Sequence, residues 1–450
     1  MGLVDSLTKS ARRASTTSSD GGNMTASSSA EKAPEGNPDD TEVLDKEEGN
    51  LVMALISQLR IGMDLTKITL PTFVLEPRSM LERITDFTAH PELIFGAGEI
   101  EDPKQRFLHV TSLILAGWHI KPKGVKKPYN PVLGEFFRCT YRYQDGSEGY
   151  YVAEQVSHHP PISAFFYISP KNRVIITGEL KPKSKFLGNS VATILEGQDR
   201  VRLLDRPEDG EYTITMPNMF ARGILFGKML LELGEISSDG CRADTTLLRE
   251  SSRVPSGTTG EITGHWDKSM EYKDKSGKKQ VLFDAATSRV TQKVVAPEDQ
   301  QEPNESRRLW AGVTRAIKNS DMESATAEKS KIEDAQRERA RYREASGARH
   351  QSRFFDAVGE KYMPNIDIDS LAAHGPDEME RLVKEWLFGG QSSHAQSTVS
   401  STPDAFATGP PRSTPTSPAT APVDSSVSTS FTDESVLSAP AAIRESSGLR

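Results

Sequence analysis

The feature that most constrains this fold is a long run of short strand-like segments between residues 136 and 236. Each segment is rich in β-branched or aromatic residues, and turn residues separate it from the next one. Consecutive strands with such short links favour an antiparallel sheet. Closure removes exposed strand edges, and a barrel of more than eight strands can enclose a ligand-sized cavity. The run therefore predicts a large antiparallel β-barrel.

Helical periodicity flanks that run on both sides. Residues 78–89 and 103–116 are predicted helices, and Asp102 is the expected cap of the second. Residues 304–317 and 321–344 return to helix. The predicted fold class is mixed and β-dominated, with a barrel at about 120–295 and a C-terminal helical subdomain at about 303–389. The strands are expected at 136–143, 149–156, 162–168, 173–180, 190–195, 200–204, 212–216 and 224–236.

Composition restricts both the partners and the compartment. The formal net charge of −8 argues against nucleic acid, whose binding needs a basic surface. Cys139 and Cys241 lie far apart and lack metal-type spacing, so neither a disulfide framework nor a zinc site is expected. No stretch approaches the roughly 20 apolar residues that span a bilayer, and the N-terminus lacks a signal-peptide hydrophobic region. These features predict a cytoplasmic protein that contacts membranes peripherally.

The two ends of the chain differ in composition from its centre. Residues 1–40 are rich in Ser, Thr and Gly, and residues 391–450 are rich in Ser, Thr, Pro and Ala with few large apolar side chains. Both tails are predicted to be disordered, because they cannot bury enough apolar surface to fold. The folded domain is predicted at 70–390, preceded by an acidic and helical segment at 41–69.

An amphipathic helix is predicted just before the folded domain. Its apolar side chains recur at i, i+3, i+4 and i+7, namely Val52, Leu55, Ile56 and Leu59. This periodicity alone fits an ordinary docked helix as well as it fits a movable lid. The carboxylates that precede it either repel an anionic membrane or favour the positive end of the helix dipole. They are Glu42, Asp45, Glu47 and Glu48.

The run EQVSHHPP at residues 154–161 indicates an anion site. A prolyl pair fixes φ and lacks N–H donors, so the strand is expected to stop there. This stiff end holds the imidazoles of His158 and His159 in one place, and each imidazole can donate a hydrogen bond to a phosphate oxygen. The predicted ligand therefore carries negative charge.

That run resembles a signature of the oxysterol-binding-protein-related lipid-transfer family. The stretch KKPYNPVLGE at 126–135 resembles the family's second signature, in the same order along the chain. The resemblance covers roughly residues 50–389, and LPTFVLE at 70–76 looks most like the fungal branch that exchanges phosphatidylserine for phosphatidylinositol 4-phosphate. It implies a lipid tunnel inside the barrel, and it makes the amphipathic helix a lid.

The resemblance also implies which residues bind the phosphoinositide head group. Taken alone, the charged helix at 321–344 indicates a solvated helix with i, i+4 pairs. Its residues Lys329, Glu333 and Arg337 share one face, however, and match the family's head-group helix. Glu135 and Glu333 are expected to orient lysines or accept inositol hydroxyls, because carboxylates repel phosphate. The full implied set is Lys127, Asn130, Glu135, His158, His159, Lys329, Glu333 and Arg337.

Two positions bear on the second lipid. Leu70 and Ser184 match positions where the phosphatidylserine-exchanging members contact the serine lipid. Taken alone, they are typical of a core leucine and a turn serine. Family members with the same head-group motifs carry sterol, so the alternative function is a sterol/phosphatidylinositol 4-phosphate exchanger or a sterol sensor.

The function that the resemblance implies is one-for-one lipid exchange between the endoplasmic reticulum and the plasma membrane at contact sites. One lipid at a time would place its acyl chains in the tunnel and its head group at the mouth. Burying acyl chains contributes about 0.8 kcal/mol per CH₂, so unloading is expected at a membrane and not into water.

Two other functions have weaker support. Ser157 beside His158 lacks the G-x-S-x-G pattern of a hydrolase, and the histidines lack metal-ligand spacing. Neither an enzyme nor a cofactor is therefore expected. Phe354-Phe355-Asp356-Ala357 resembles the centre of a motif that binds endoplasmic-reticulum receptor proteins. Arg353 stands where that motif has an acid, which favours a packing segment over a tether.

One segment departs from the family pattern. Residues 237–260 are polar and show little strand pattern, whereas family members usually continue through further strands here. A barrel without a strand would expose unpaired backbone donors and acceptors. Either the barrel edge is remodelled at this segment, or the chain is an altered gene product.

Overall fold

The computed structural model describes residues 61–63, 72–120, 126–223, 230–234, 248–250 and 260–389. The predictions for the two tails, the acidic residues, the lid residues Val52, Leu55, Ile56 and Leu59, and Leu70 lie outside these residues. None of the helices in the described ranges combines the length and the apolar character needed to cross a bilayer.

Strands dominate the described part of the chain. Numbered in chain order, they are β1 (Leu75–Ser79), β2 (Lys127–Tyr129), β3 (Phe136–Arg142), β4 (Glu148–His158), β5 (Pro161–Ser169), β6 (Val174–Phe186), β7 (Ser190–Glu196), β8 (Gln198–Leu203), β9 (Tyr212–Thr215), β10 (Asn218–Arg222), β11 (Leu230–Gly234), β12 (Leu248–Glu250), β13 (Gly260–Gly264), β14 (Ser269–Asp274), β15 (Lys279–Asp284), β16 (Lys293–Val294), β17 (Phe355–Val358) and β18 (Lys361–Pro364).

Eleven of these strands form one antiparallel sheet. Its main path runs β11-β10-β7-β6-β5-β4-β3-β16, while β8, β9 and β12 branch from β6. The long strand β6 joins both parts, because its first half pairs with β8 and its second half with β7. Among the described residues, β11 and β16 each pair with one strand of this path, so the path has two unpaired ends. The β-dominated class is confirmed, and the closed barrel stays a prediction.

Helices lie before and after the strands of this sheet. They are α1 (Met80–Arg83), α2 (Pro103–Ala116), α3 (Ser306–Leu309), α4 (Ala311–Lys318), α5 (Met322–Ser346), α6 (Ile368–Ala372) and α7 (Pro376–Phe388). Helix α2 begins as predicted, since the Asp102 carboxylate accepts a hydrogen bond from the Lys104 backbone N–H at 3.0 Å. The helix expected at 78–89 is instead α1 followed by a 3₁₀ turn at Ile84–Thr88.

The observed strands differ from the sequence-based predictions in three places. The sequence patterns did not predict β10 or the separate sheet of β13, β14 and β15. The segment 237–260 does contain a strand, since β12 pairs with β9 through Leu248 and Ile214. These strands are short and carry many charged or polar residues, so the apolar alternation that marks a strand is weak in them.

The main sheet has an apolar core on each face. On one face, Phe137, Tyr151 and Phe165 pack with Leu81 of α1 and Val110 of α2. Alternating side chains of the same strands point to the other face, as expected of a β-strand. There, side chains of the C-terminal segment and α7 complete a second core, which comprises Phe136, Tyr150, Val152, Phe166, Phe354, Phe355, Val383 and Leu387.

The paired phenylalanines of the receptor-like motif belong to this second core. Phe354 and Phe355 are each only 1% exposed, and Phe355 begins the β17–β18 hairpin. Rings buried in this way cannot contact a receptor protein without opening the C-terminal segment. The packing role is thus the one that the structure supports.

Candidate functional site

Three chain segments meet at the end of β4: the loop after β2, the turn after β4, and the middle of α5. The backbone N–H of Gly134 donates to the carbonyl of Gln155 at 3.0 Å, and that of Gln155 donates to the carbonyl of Glu135 at 2.8 Å. From the helix, the Gln336 side chain accepts a hydrogen bond from the Leu133 N–H at 3.2 Å. Both sequence signatures and the charged helix therefore lie together.

The histidine turn has the geometry that the prolines predict. Strand β4 ends at His158, which lies opposite Pro161 at the start of β5. The two imidazole rings are 4.5 Å apart between centroids, inclined at 62°. His159 is exposed and His158 is half-buried. Burial, and then the neighbouring His159, lower the pKa of His158, so this ring is neutral at neutral pH.

Two lysines approach each other across the site. Burial, and then the charge of Lys329, lower the pKa of the half-buried Lys127. No carboxylate in the described part of the chain pairs with Lys127, whereas Lys329 pairs with Glu333 at 2.5 Å. Two neighbouring ammonium groups repel each other, and an anion between them would relieve that repulsion.

Along α5, Glu333 forms ion pairs in both directions. It contacts Lys329 one turn earlier and Arg337 one turn later, the second at 3.4 Å. Arg337 also pairs with Asp334, and its side chain is 59% exposed. Asn130 is exposed as well. Of the site residues predicted from the sequence, His158 and Lys127 are therefore half-buried, whereas Asn130 and Arg337 are exposed.

Glu135 lies inside the protein. Its carboxylate accepts hydrogen bonds from Ser79 Oγ at 2.5 Å, Ser306 Oγ at 2.8 Å, Trp310 Nε1 at 2.9 Å and the Val132 N–H at 3.0 Å. Burial raises the pKa of Glu135, and these four donors act against that rise. With both oxygens occupied by protein donors, Glu135 holds the loop in place, and we assign it this positioning role.

Glu154 has a similar role on the opposite side of the sheet. Its carboxylate accepts from the backbone N–H groups of Arg353 and Phe354, each at 2.8 Å. Burial raises the pKa of Glu154 to about 7. The Nε2 atom of His350 lies 4.0 Å from this carboxylate. The first residue of the EQVSHHPP run therefore anchors the C-terminal segment and does not line the site.

Three residues near the histidine turn were not predicted from the sequence: Gln336, Arg343 and His350. Gln336 donates from Nε2 to His158 Nε2. Arg343 is close enough for its charge to lower the pKa of both His158 and His350, although burial is the larger cause for each. The seven-residue spacing from Lys329 to Gln336 to Arg343 places all three on one helix face. That spacing is the sequence signal that would have found the two helix residues.

His350 packs against the loop at Gly134. Gly134 has a φ of +78°, and a Cβ added there would lie 3.0 Å from His350 Cε1. Glycine suits both requirements, because it adopts positive φ readily and leaves room for the imidazole. The glycine of the KKPYNPVLGE signature thus allows close contact with the segment after α5.

Ser184 lies in a different part of the sheet. It is half-buried on β6 opposite Thr193, on the same face as Leu180 and Phe186. The structure describes no contact between Ser184 and the histidine turn. Its assignment to the second lipid stays a prediction.

The sequence of this chain matches a protein-family model and related proteins over most of its length. A model of the oxysterol-binding protein family matches residues 54–315 and 313–370. "Oxysterol-binding protein homolog C23B6.01c" of Schizosaccharomyces pombe is 42% identical over 361 residues, covering 73% of this chain and 75% of that protein.

Two solved structures share the fold. The Osh1 ORD domain in complex with cholesterol gives a TM-score of 0.57 at 23% identity, covering 73% of this chain and 89% of that one. The Osh3 ORD in complex with PI(4)P, from Saccharomyces cerevisiae, gives 0.53 at 18% identity, covering 79% and 97%. At these identities the two similarities support the β-dominated fold.

Proposed function

Because this chain belongs to the oxysterol-binding protein family, we propose that it is a lipid-transfer protein that extracts phosphatidylinositol 4-phosphate and exchanges it for phosphatidylserine. The observation that carries this proposal is the meeting of Lys127, Lys329 and His158 at one end of the sheet. Such a cluster of nitrogen donors, poor in free carboxylates, suits a phosphomonoester. The complex of Osh3 with PI(4)P supports the same ligand chemistry.

The head group would bind where the two lysines face each other. A phosphate between Lys127 and Lys329 removes their repulsion, and Arg337 supplies a planar guanidinium once it exchanges Asp334 for phosphate oxygens. Glu333 keeps Lys329 in place from the helix side. His158 and His159 would donate hydrogen bonds to the phosphate from the end of β4 and the turn after it.

The acyl chains would follow the inner apolar face of the sheet. Phe137, Tyr151 and Phe165 of this face already pack against α1 and α2, so the acyl chains would run beside them along the partly buried Leu195, Met219 and Leu233. In our proposal the face is part of a closed barrel whose lid is the helix carrying Val52, Leu55, Ile56 and Leu59. Unloading takes place at a membrane, because released acyl chains would lose about 0.8 kcal/mol per CH₂ in water. The membranes in question are the endoplasmic reticulum and the plasma membrane at contact sites.

The second lipid is the finer part of the proposal. Leu70 and Ser184 match the serine-lipid positions of the fungal branch, which favours phosphatidylserine. Sterol is the second candidate, because the structural neighbour Osh1 was solved with cholesterol. Nothing in the site calls for catalysis, and the proposal is for a carrier and not an enzyme.

The decisive experiment replaces both His158 and His159 with alanine. We expect extraction of phosphatidylinositol 4-phosphate from liposomes to fall at least tenfold, since each lost charge-assisted hydrogen bond contributes about 1.5–3 kcal/mol. His265→Ala, at an exposed histidine, serves as the control. Equal thermal unfolding temperatures would show that the double variant is folded. Undiminished extraction by a folded double variant would refute the proposed site.

A further inference from the structure

We propose that Gln336 holds His158 in a neutral form whose Nε2 atom cannot donate to phosphate until a phosphomonoester displaces Gln336 from that atom. Gln336 thereby helps to set head-group specificity. This inference rests on the proposed function, because it concerns the same phosphate site. It adds a residue that neither the sequence signatures nor the charged triplet on α5 includes.

The amide orientation follows from its two neighbours. The Leu133 backbone N–H can only donate, so the carbonyl Oε1 of Gln336 must face it, as observed at 3.2 Å. The NH₂ group of Gln336 is then turned toward His158 Nε2. An NH₂ group can only donate, and the Nε2 atom of His158 must therefore accept through its lone pair. The histidine proton is consequently on Nδ1.

The surroundings of His158 favour this neutral form. Burial opposes the charged ring most strongly, followed by His159 and, more weakly, Arg343. The carbonyl of Pro131 and the carboxylate of Glu333 act in the other direction without reversing the effect. Nδ1 is buried beside the Pro131 carbonyl without a well-formed hydrogen bond. His158 thus presents a lone pair where a phosphate would need a donor.

A phosphate can reverse this arrangement by drawing in one proton. A proton from solvent adds to Nε2, the hydrogen bond from Gln336 breaks, and the resulting imidazolium donates to a phosphate oxygen. The released NH₂ group of Gln336 can then donate to a second oxygen. A dianionic phosphomonoester stabilises the imidazolium more than the single charge of a phosphodiester does. This change of hydrogen-bond partner at His158 therefore favours phosphatidylinositol 4-phosphate over phosphatidylinositol.

The tautomer can be measured without any lipid. Nitrogen-15 NMR of the lipid-free full-length protein with labelled histidines should show His158 with an unprotonated Nε2 at neutral pH. In Gln336→Glu, one carboxylate oxygen can still accept a hydrogen bond from the Leu133 N–H. The other oxygen favours a proton on His158 Nε2, so His158 Nε2 should become protonated. Ser330→Glu adds the same charge at an exposed position of α5 and should leave the tautomer unchanged. A protonated Nε2 in the lipid-free wild-type protein would overturn the proposal.

Lipid extraction then tests the effect on specificity. We expect Gln336→Glu to extract phosphatidylinositol 4-phosphate roughly tenfold less well, as for the loss of one charge-assisted hydrogen bond, and to discriminate less against phosphatidylinositol. Wild-type extraction should weaken with rising pH, by at most about tenfold per unit, because binding takes up one proton. The Ser330→Glu control should behave like the wild type.

The outcomes separate this inference from the proposed function. A wild-type protein that extracts no phosphatidylinositol 4-phosphate would refute the proposed function, whatever the tautomer. If wild type extracts the lipid but folded Gln336→Glu keeps the same pH profile and the same lipid preference, the role of Gln336 is refuted. Thermal unfolding of each variant establishes that the comparison is made between folded proteins.

Discussion

At the scale of single residues, Glu154 shows that a signature residue can serve the fold instead of the ligand. Its carboxylate is buried and caps the backbone N–H groups of Arg353 and Phe354. The run EQVSHHPP thus combines an anchor at one end with a candidate phosphate site at the other. Strict alternation would place Glu154 and His158, four residues apart, on the same face of the sheet. The register shift between Gln155 and Ser157 puts them on opposite faces, and the sequence pattern does not show this bulge.

The raised pKa of Glu154 leads to a pH prediction. Its pKa is about 7 in the folded protein, against 4.5 for an ordinary glutamate, so the folded state binds the proton more tightly than the unfolded chain. Glu154 therefore contributes stability below about pH 4.5, and this contribution is lost as the pH rises toward 7. The free energy of unfolding should fall over this range by at most about 1.4 kcal/mol per unit from this group.

Denaturant unfolding of Glu154→Gln across the same pH range tests this assignment. Glutamine keeps a carbonyl acceptor for the two N–H groups but does not titrate, so the slope should be smaller than in the wild-type protein. Glu338→Gln, an exposed change on α5, should retain the wild-type slope. Identical slopes for Glu154→Gln and wild type would show that Glu154 does not carry the effect.

At the scale of elements, α5 combines a site-facing side with a strongly basic C-terminal end, which continues to Arg349 just after the helix. Within the described residues, Arg339, Arg341 and Arg349 are exposed and have no carboxylate partner, and the neighbouring Tyr342 is 73% exposed. A protein with a net charge of −8 needs such a local concentration of positive charge to approach an anionic bilayer. Because Arg343 on the same helix acts on His158, this end lies near the candidate head-group site.

We predict that replacing Arg339, Arg341 and Arg349 together with glutamine weakens binding to phosphatidylserine-containing vesicles by roughly tenfold or more at low salt. Each basic residue near such a surface contributes about 1 kcal/mol. Vesicle co-sedimentation is the measurement, and high salt should remove most of the difference.

The matched control removes three other exposed charges, Lys268, Lys275 and Lys278, at and before the β14–β15 hairpin. This variant should bind vesicles nearly as well as the wild-type protein. If both triple variants lose the same affinity, binding responds to net charge alone, and the basic end of α5 has no special part in it.

At the scale of the whole molecule, the proposed tunnel holds one lipid at a time. A protein saturated with phosphatidylinositol 4-phosphate should therefore extract little phosphatidylserine, and the reverse should also hold. Native mass spectrometry after incubation with mixed-lipid liposomes should show singly loaded protein with either lipid. Appreciable amounts of protein carrying both lipids would contradict exchange through a shared space, and loading with sterol alone would favour the second candidate.

The local pattern of the sequence determined the β-dominated class, the helix Pro103–Ala116 with its Asp102 cap, and the end of β4 at the histidines. These features depend on propensity, periodicity and the restrictions that proline imposes, which act over a few residues. The charged face of α5 was also visible, because i, i+4 spacing fixes which side chains share a side of a helix.

Which polar groups face the site and which are buried against protein partners depends on how distant segments pack together. Glu135 and Glu333 are the same residue type in the same predicted site, yet one is enclosed by four donors and the other pairs with Lys329. The bond between Gln336 and His158 joins residues 178 positions apart. Contacts of that kind depend on how distant segments are brought together, and local propensity carries no information about them.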